Sequence, residues 1–372
     1  MKILHTADWH IGKRLAGFDL TADQDYVFDQ LVACAQREQV DAIAIAGDLY
    51  DRALANEDAV SQVNRMLYRL NRELHYPLLV ISGNHDSAVR LGTGRQWFSA
   101  TGLHLNTELA EAFTPVEMGD VQFFLLPYFE PVAARQYFHD DSLTNISLAM
   151  HRVSAELQTR FDSAKKHVLF AHFFAANSTQ TDSETKVAVG GLDAVDVADL
   201  AAFDYVGLGH LHNRNALTHV AGVQYAGSLL KFSTSEIAQE KGVYILDTAT
   251  MARRFVPLKP LHEFQHLTDA FAALTAPDAG ERFDRDAYTA VTLTDAAVIP
   301  NVMTALREVF PRITGLDREQ AVQLNRAAAA DPTLGPLPLL AEFFRQVTDT
   351  ELDDAQLAFA RTALDGAKKE GN

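Results

Sequence analysis

Short apolar runs and longer amphipathic stretches alternate along the first two-thirds of the chain. Residues 2–7, 41–46, 77–82, 167–171 and 204–208 each read as a buried strand, being short, continuous and rich in Ile, Leu, Val and Ala, with Gly, Asp or His at or just past the end. Between the first two, Phe28, Leu31, Val32 and Ala35 share one face of a helix through Gln36, which Thr21 and Gln24 would open as a capping box. From Asn56 onward, Val60, Val63, Leu67, Leu70 and Leu74 recur at three- and four-residue spacing and predict a second helix. Strand, helix, strand, helix, strand is the order of a layered α/β domain.

The pattern changes near residues 257–260. Apolar runs such as 290–293 become fewer and 301–310 reads as a helix, which predicts a small α+β unit. Pro332, Gly335, Pro336 and Pro338 then cluster as breakers and read as a linker. Beyond them, Leu339, Leu340, Phe343, Phe344 and Val347 form one apolar face and Leu352, Ala355, Phe359 and Ala363 another, a helical hairpin too short to be stable alone. The expected division is therefore 1–258, 259–330, and 331–372 as linker and hairpin. A length of 372 residues agrees with it, at ~150 residues per domain.

Composition narrows the class. One cysteine, Cys34, leaves no disulfide within the chain and favours a reducing compartment. No basic segment followed by an apolar one opens the chain, and no run approaches the ~20 apolar residues that span a bilayer, so a soluble cytoplasmic protein without a membrane partner is expected. With 32 Lys and Arg against 49 Asp and Glu, the formal charge of −17 argues against a protein that coats a polyanion. Any affinity for nucleic acid must be local.

The chemistry gathers at the ends of the expected strands. The first is followed by Asp8 and His10, the second by Gly47-Asp48, the third by Gly83-Asn84-His85-Asp86, the fourth by His172 and the fifth by Gly209-His210-Leu211-His212. Ligands collect outside the carboxyl ends of strands in open α/β sheets, so these segments can converge. In extended backbone, the two-residue spacing of Asp8 with His10, and of His210 with His212, would aim each pair to one side. Carboxylate, amide and imidazole donors without thiolates suit divalent Mn, Fe or Zn rather than a closed structural zinc site. Asp8, His10, Asp48, Asn84, His172, His210 and His212 are too many for one ion and suit two that share a carboxylate.

These ordered motifs resemble the calcineurin-like metallophosphoesterase superfamily. The longer match, His5-Thr6-Ala7-Asp8-Trp9-His10, Gly47-Asp48-Leu49-Tyr50-Asp51 and Gly83-Asn84-His85-Asp86-Ser87, with Gly227-Ser228, Ser235-Glu236, Lys241-Gly242 and residues 257–261 later, resembles its bacterial double-strand-break repair nucleases. Ala7 replaces the Ser usual before the first Asp. The resemblance implies a layered α/β sandwich with a small α+β capping domain and a C-terminal helical hairpin. It implies Asp8, His10, Asp48 and His212 around one ion and Asp48, Asn84, His172 and His210 around the other, with Mn²⁺ as the working metal and Mg²⁺ or another divalent ion as substitutes. His85 would face the scissile phosphate, and Asp86 would orient its ring.

The family activity implied is 3′ to 5′ exonuclease action on duplex ends and endonuclease cutting of single strands and hairpins, in DNA repair, recombination and replication. Lys13, Arg14, Arg52, Arg90 and Arg95, just after ligand-bearing turns, are candidate contacts to the DNA backbone. The family further implies a homodimer joined to an ABC-type ATPase with long coiled coils, to which the hairpin would bind. The chain has no G-x-x-x-x-G-K-[ST] of its own. Two other readings remain open here. One is a small-nucleotide phosphodiesterase or protein phosphatase, although the latter carry Gly-Asn-His-Glu where this chain has Asp86. The other is a non-catalytic scaffold.

Overall fold

The structure is a computed structural model that describes residues 1–179, 181–184, 194–319, 335–348 and 350–370. The expected linker residue Pro332 and the 330/331 boundary lie outside the described residues. Two compact units form: the first holds Met1–His266 and Arg285–Ala290, the second Leu267–Asp284 and the chain from Val291 onward. The first unit thus runs past Leu258 and takes back a short returning segment.

All five expected strands are present, as Lys2–Thr6, Ala42–Ala46, Leu78–Ile81, Lys166–His172 and Tyr205–Gly209. The first three lie in a six-stranded sheet, ordered Ala252–Pro257, Gly242–Asp247, Lys2–Thr6, Ala42–Ala46, Leu78–Ile81, Leu103–Asn106. The last two lie in a five-stranded sheet, ordered Val223–Tyr225, Tyr205–Gly209, Lys166–His172, Val121–Leu126, Val116–Met118. The first three are parallel neighbours, as are the last two, so their carboxyl ends share a direction within each sheet.

Side-chain alternation explains why the sheets stack. Along Ala42–Ala46, the alanines face the other sheet while Ile43 and Ile45 face the helices. Opposite the alanines the second sheet presents Phe123, Phe170 and Tyr205, so small residues on one face receive large ones on the other. The outward faces bury Phe28, Leu31, Val32, Val63 and Met66 against one sheet, and Ala149, Met150, Val153 and Leu157 against the other. The result is a sandwich of four layers, helices outside and sheets within.

Two local expectations need correction. The helix Thr21–Glu38 has no side-chain cap: Asp19 Oδ1 accepts from Thr21 N at 2.8 Å, and Gln24 turns inward. In the helix Glu57–Tyr68, capped by Asn56 Oδ1 on Ala59 N at 2.8 Å, the inward face uses Ala59, Gln62, Val63 and Met66, and Val60 is exposed. In the second unit, the helix Val302–Val309 buries Leu306 with Leu274, Val291, Leu293, Phe310 and Ile313. The helices Pro336–Thr348 and Asp354–Glu370 form the hairpin, with Phe343 and Phe359 exposed.

One buried group between the sheets sets a pH dependence. His5 is fully buried, with Nδ1 3.1 Å from Tyr205 Oη and no partner for Nε2. Burial pushes its pKa down to about 3. The folded state therefore holds His5 neutral while the unfolded chain takes up a proton below about 6.5, so this residue's contribution is complete above that pH and is lost as pH falls toward 3. Between pH 7 and pH 5, urea unfolding of the wild type should lose about 2 kcal/mol more stability than that of His5→Leu. Equal losses in both proteins would refute this origin.

Candidate metal centre

The strand ends of both sheets meet at one edge of the sandwich. Asp8, His10 and His212 offer ligand atoms within 4.8 Å of one another, and so do Asp8, Asp48 and His172. Asp48 Oδ2 lies 3.4 Å from His172 Nε2 and 3.7 Å from His10 Nε2, so Asp48 stands between the two groups. Asn84 Oδ1 lies 2.9 Å from both His172 Nε2 and His210 Nδ1. The residues expected as ligands, drawn from positions 8 to 212, are thereby brought into one cluster.

The backbone that achieves this is not the extended one expected. Asp8, His10, Asp48 and His210 all adopt positive φ, between 45° and 93°, a region that non-glycine residues seldom occupy and that costs of order 1–3 kcal/mol each. Cross-connections hold these kinks. Asp8 N donates to Gly47 O and His10 N to Asp48 O, both at 3.0 Å, while His210 N donates to Asp8 Oδ1 at 2.9 Å. Gln24 Nε2 donates to His10 O at 2.8 Å, and its Oε1 is 3.4 Å from Gly12 N, so the inward turn of Gln24 pins the first loop.

Electrostatics suit cation binding. Burial opposes a charge on Asp48, yet neighbouring His172 holds the carboxyl well below the usual range. Burial raises Asp8 to about 6 and lowers His210 to about 3. A neutral imidazole at His210 is the form that ligates a metal. Two buried atoms, Asp8 Oδ2 and His10 Nδ1, have no hydrogen-bond partner, and His10 Nε2 faces His212 Nε2 at 3.0 Å. Orphaned donor atoms of this kind, with a purely N/O donor set, fit divalent cations. His10, Asp51 and His85 also lie within 4.8 Å of one another, but Lys13 Nζ already pairs with Asp51 Oδ1 at 2.7 Å.

His85 and Asp86 have different surroundings. His85 packs edge-on against His10, ring centroids 4.8 Å apart, and its Nδ1 is 2.7 Å from Asp51 O. Asp86 accepts from Gly83 N, Tyr50 N and Leu49 N at 2.8, 2.9 and 3.2 Å, tying the second loop to the third. The ring contact expected from Asp86 is thus supplied by the carbonyl of Asp51, while the Asp86 carboxylate braces backbone. Burial, then the charge of Asp48, pushes Asp86 up to about 7.

The basic candidates separate. Arg95 is held by Glu111 at 2.6 Å and Glu108 at 2.8 Å, while Arg14, itself exposed, meets Gly17 O and Asp19. Lys13 and Arg52 both pair with Asp51, at 2.7 and 3.4 Å, Arg52 with its side chain 83% exposed, and Arg90 is exposed. Around His212 lie residues to which the sequence assigned no role: Ser183, Glu184, Glu236 and Lys241. Ser183 and Glu184 sit in a polar, aperiodic stretch that carries no signal. Among the described residues, no helix is long and apolar enough to cross a membrane.

Residues 1–214, the sandwich whose strand-end loops gather these acid, amide and imidazole groups, match the family described as calcineurin-like phosphoesterase, and the chain belongs to it. Residues 254–348 match the family described as type 5 capsule protein repressor C-terminal domain. The chain is 32% identical over 365 residues to SbcD, the nuclease component of SbcCD, from Staphylococcus epidermidis, covering 96% of each, and it belongs to the SbcD family. Two solved structures are looser likenesses. A dimetal phosphatase from Danio rerio is 15% identical, with a TM-score of 0.43 and coverage of 66% of this chain and 91% of that one. The phosphoesterase Yfce from E. coli is 12% identical, with a TM-score of 0.29 and coverage of 70% and 100%.

Proposed function

We propose that the chain is the nuclease component of an SbcCD complex, a phosphodiesterase that uses two Mn²⁺ to cut DNA 3′ to 5′ from duplex ends and within single strands and hairpins. The observation that carries this reading is the convergence of seven acid, amide and imidazole side chains, Asp48 among them, with His85 at their rim. In this reading Asp8, His10, Asp48 and His212 hold one cation, and Asp48, Asn84, His172 and His210 the other. Two divalent cations, when bound, make a nucleophilic water available near neutral pH and offset phosphate charge.

The chain's own residues do the rest. Nδ1 of His85 donates to the Asp51 carbonyl, 2.7 Å away, so Nε2 is left to face the leaving 3′ or 5′ oxygen, to which the imidazolium form would hand its Nε2 proton. Asp86 sets the distance between the Asp48 and His85 loops through its three amide contacts. Arg52 and Arg90, facing solvent just beyond these loops, are the backbone-phosphate contacts this reading favours, and they act locally against an overall −17.

ATP dependence comes from SbcC, on whose coiled coil the hairpin 336–370 docks through faces that include Phe343 and Phe359; residues 259–330 cap the DNA. Two copies of each protein form a heterotetramer, with this chain as the homodimer at its centre, in the cytoplasm. The exposed aromatic residues of the hairpin support the first point.

End-labelled duplex and hairpin DNA, with Mn²⁺ and with or without SbcC, tests the reading against cyclic nucleotides as rival substrates. His85→Ala should bind Mn²⁺ as the wild type does and cut DNA at least ~10²-fold more slowly. Its deficit should shrink on an aryl phosphodiester, whose leaving group needs no proton. Wild-type DNA cleavage by His85→Ala, or preference for the cyclic nucleotide, would overturn it.

A further inference from the structure

Ser228, Glu236 and Lys241 belong to motifs that no step above uses, yet they surround His212. Lys241 Nζ is buried and donates to Glu236 Oε2 at 2.6 Å, Gln239 Oε1 at 2.8 Å, and Ser228 Oγ and His212 O at 2.9 Å. Glu236 is fully buried; its Oε1 also meets Ser183 Oγ, Ser233 Oγ at 3.0 Å and Phe232 N at 3.3 Å. Ser183 Oγ lies 2.7 Å from His212 Nδ1 and 3.2 Å from Thr181 Oγ1. Glu184 Oε1 accepts from His212 N at 2.5 Å. One network therefore grips His212 at its backbone nitrogen, its backbone oxygen and its ring.

The direction of the ring contact follows from what each group can do. Lys241 has only protons to give, and the carboxylate it clamps has only lone pairs. Ser183 has one proton, and Glu236 takes it. The lone pairs of Ser183 therefore face His212, so Nδ1 must carry the hydrogen, and in the neutral ring Nε2 carries none. Nε2 is the nitrogen that faces His10 in the cluster.

We propose that Glu236, acting through the Ser183 hydroxyl, is a positioning residue that fixes His212 as the Nδ1–H tautomer and so presents Nε2 as a ligand nitrogen. The inference rests on the reading of the centre as a cation site. It deepens that reading by assigning the Ser228, Glu236 and Lys241 motifs a task in metal loading. Outer-shell partners of ligating histidines set tautomer and orientation, and their loss typically weakens metal binding ~10- to 100-fold.

Glu236→Gln keeps the shape and reverses the relay. Lys241 still needs an acceptor, so the amide oxygen turns to it and the amide N–H turns to Ser183, which then donates to His212 Nδ1. Two readouts on the full chain test this: nitrogen NMR of the ¹⁵N-histidine-labelled, metal-free protein, and calorimetric titration with Mn²⁺. The wild type should show Nδ1–H at His212 and bind two Mn²⁺. Glu236→Gln should show Nε2–H, and one of its two sites should bind Mn²⁺ at least ~10-fold more weakly. Ser183→Ala, a change at a partly buried loop residue, should weaken the same site, and Ser183→Thr, which keeps the hydroxyl, should restore it. Should Glu236→Gln not fold, the Ser183 pair carries the test. Wild-type affinity at both sites in Ser183→Ala, or Nε2–H in the wild type, overturns the inference alone. A wild type that binds no Mn²⁺ overturns the underlying reading of the centre, and the inference with it.

Discussion

Asp48→Asn should lower the bound divalent metal from two ions per chain to one or none and slow phosphodiester hydrolysis by ~10³-fold or more. Asp48 is 2% exposed and stands 3.4 Å from His172 and 3.7 Å from His10, one from each strand-end group. Its other oxygen accepts from His85 N at 2.8 Å. Asparagine keeps that volume and can keep the amide contact, so the fold should survive. It loses the negative charge that two cations would share, and an effect of ~4 kcal/mol on the barrier corresponds to ~10³-fold in rate. Metal content by elemental analysis and single-turnover cleavage measure the two halves separately. Two ions per chain with turnover within ~10-fold of wild type would remove Asp48 from the bridging position.

Gly209→Ala should be severely damaging although it replaces no candidate ligand. A Cβ there would lie 1.9 Å from Ala46 O, 2.8 Å from His172 Nδ1 and 3.0 Å from Ala7 Cβ. The nearest atom is backbone, and it is the carbonyl that pairs with His172 Nδ1 at 2.8 Å. Room can come only from separating the two sheets, which breaks this pairing. The cost should reach about 3 kcal/mol or more, a fall of roughly 10 °C in Tm for a unit of this size. Calorimetric melting of the metal-free protein reads the loss without any contribution from bound ions. A shift of less than ~2 °C would mean that the sheets yield at this edge more easily than their packing implies.

The strands and the side chains that cluster at their ends were legible because each obeys a local rule. Five short apolar runs have one reading in a chain of this kind, and Asn, His and Asp placed after a buried strand have no packing task. What was not legible depended on distant partners. Gln24 sits three residues after Thr21 and so mimics a capping pair, but Asp19 takes the turn and Gln24 faces His10. Positive φ at Asp8, His10, Asp48 and His210 is held by neighbouring loops; Asp and His tolerate that region better than most residues, but neither requires it. Asp86 was expected beside the ring of His85 because they adjoin in sequence, whereas Asp51, far earlier, supplies that contact. The return of Arg285–Ala290 to the first unit is not readable from proline clusters, since breakers mark turns and not where a chain goes next. Val60 failed for a simpler reason: a helical period fixes a stripe only to within a residue, and the stripe here is centred on Val63 and Met66.

The two sheets contribute unequally to the same edge: Asp8, His10, Asp48 and Asn84 follow strands of one, and His172, His210 and His212 belong to the other. Ions seated among them would act as rivets through both plates of the sandwich. Cohesion at that rim would then rise and fall with the free cation concentration, by mass action, while the interior of the interface, aromatic residues packed against alanines, would be indifferent to it. A chelator would act on such a molecule as a wedge driven in from one end only.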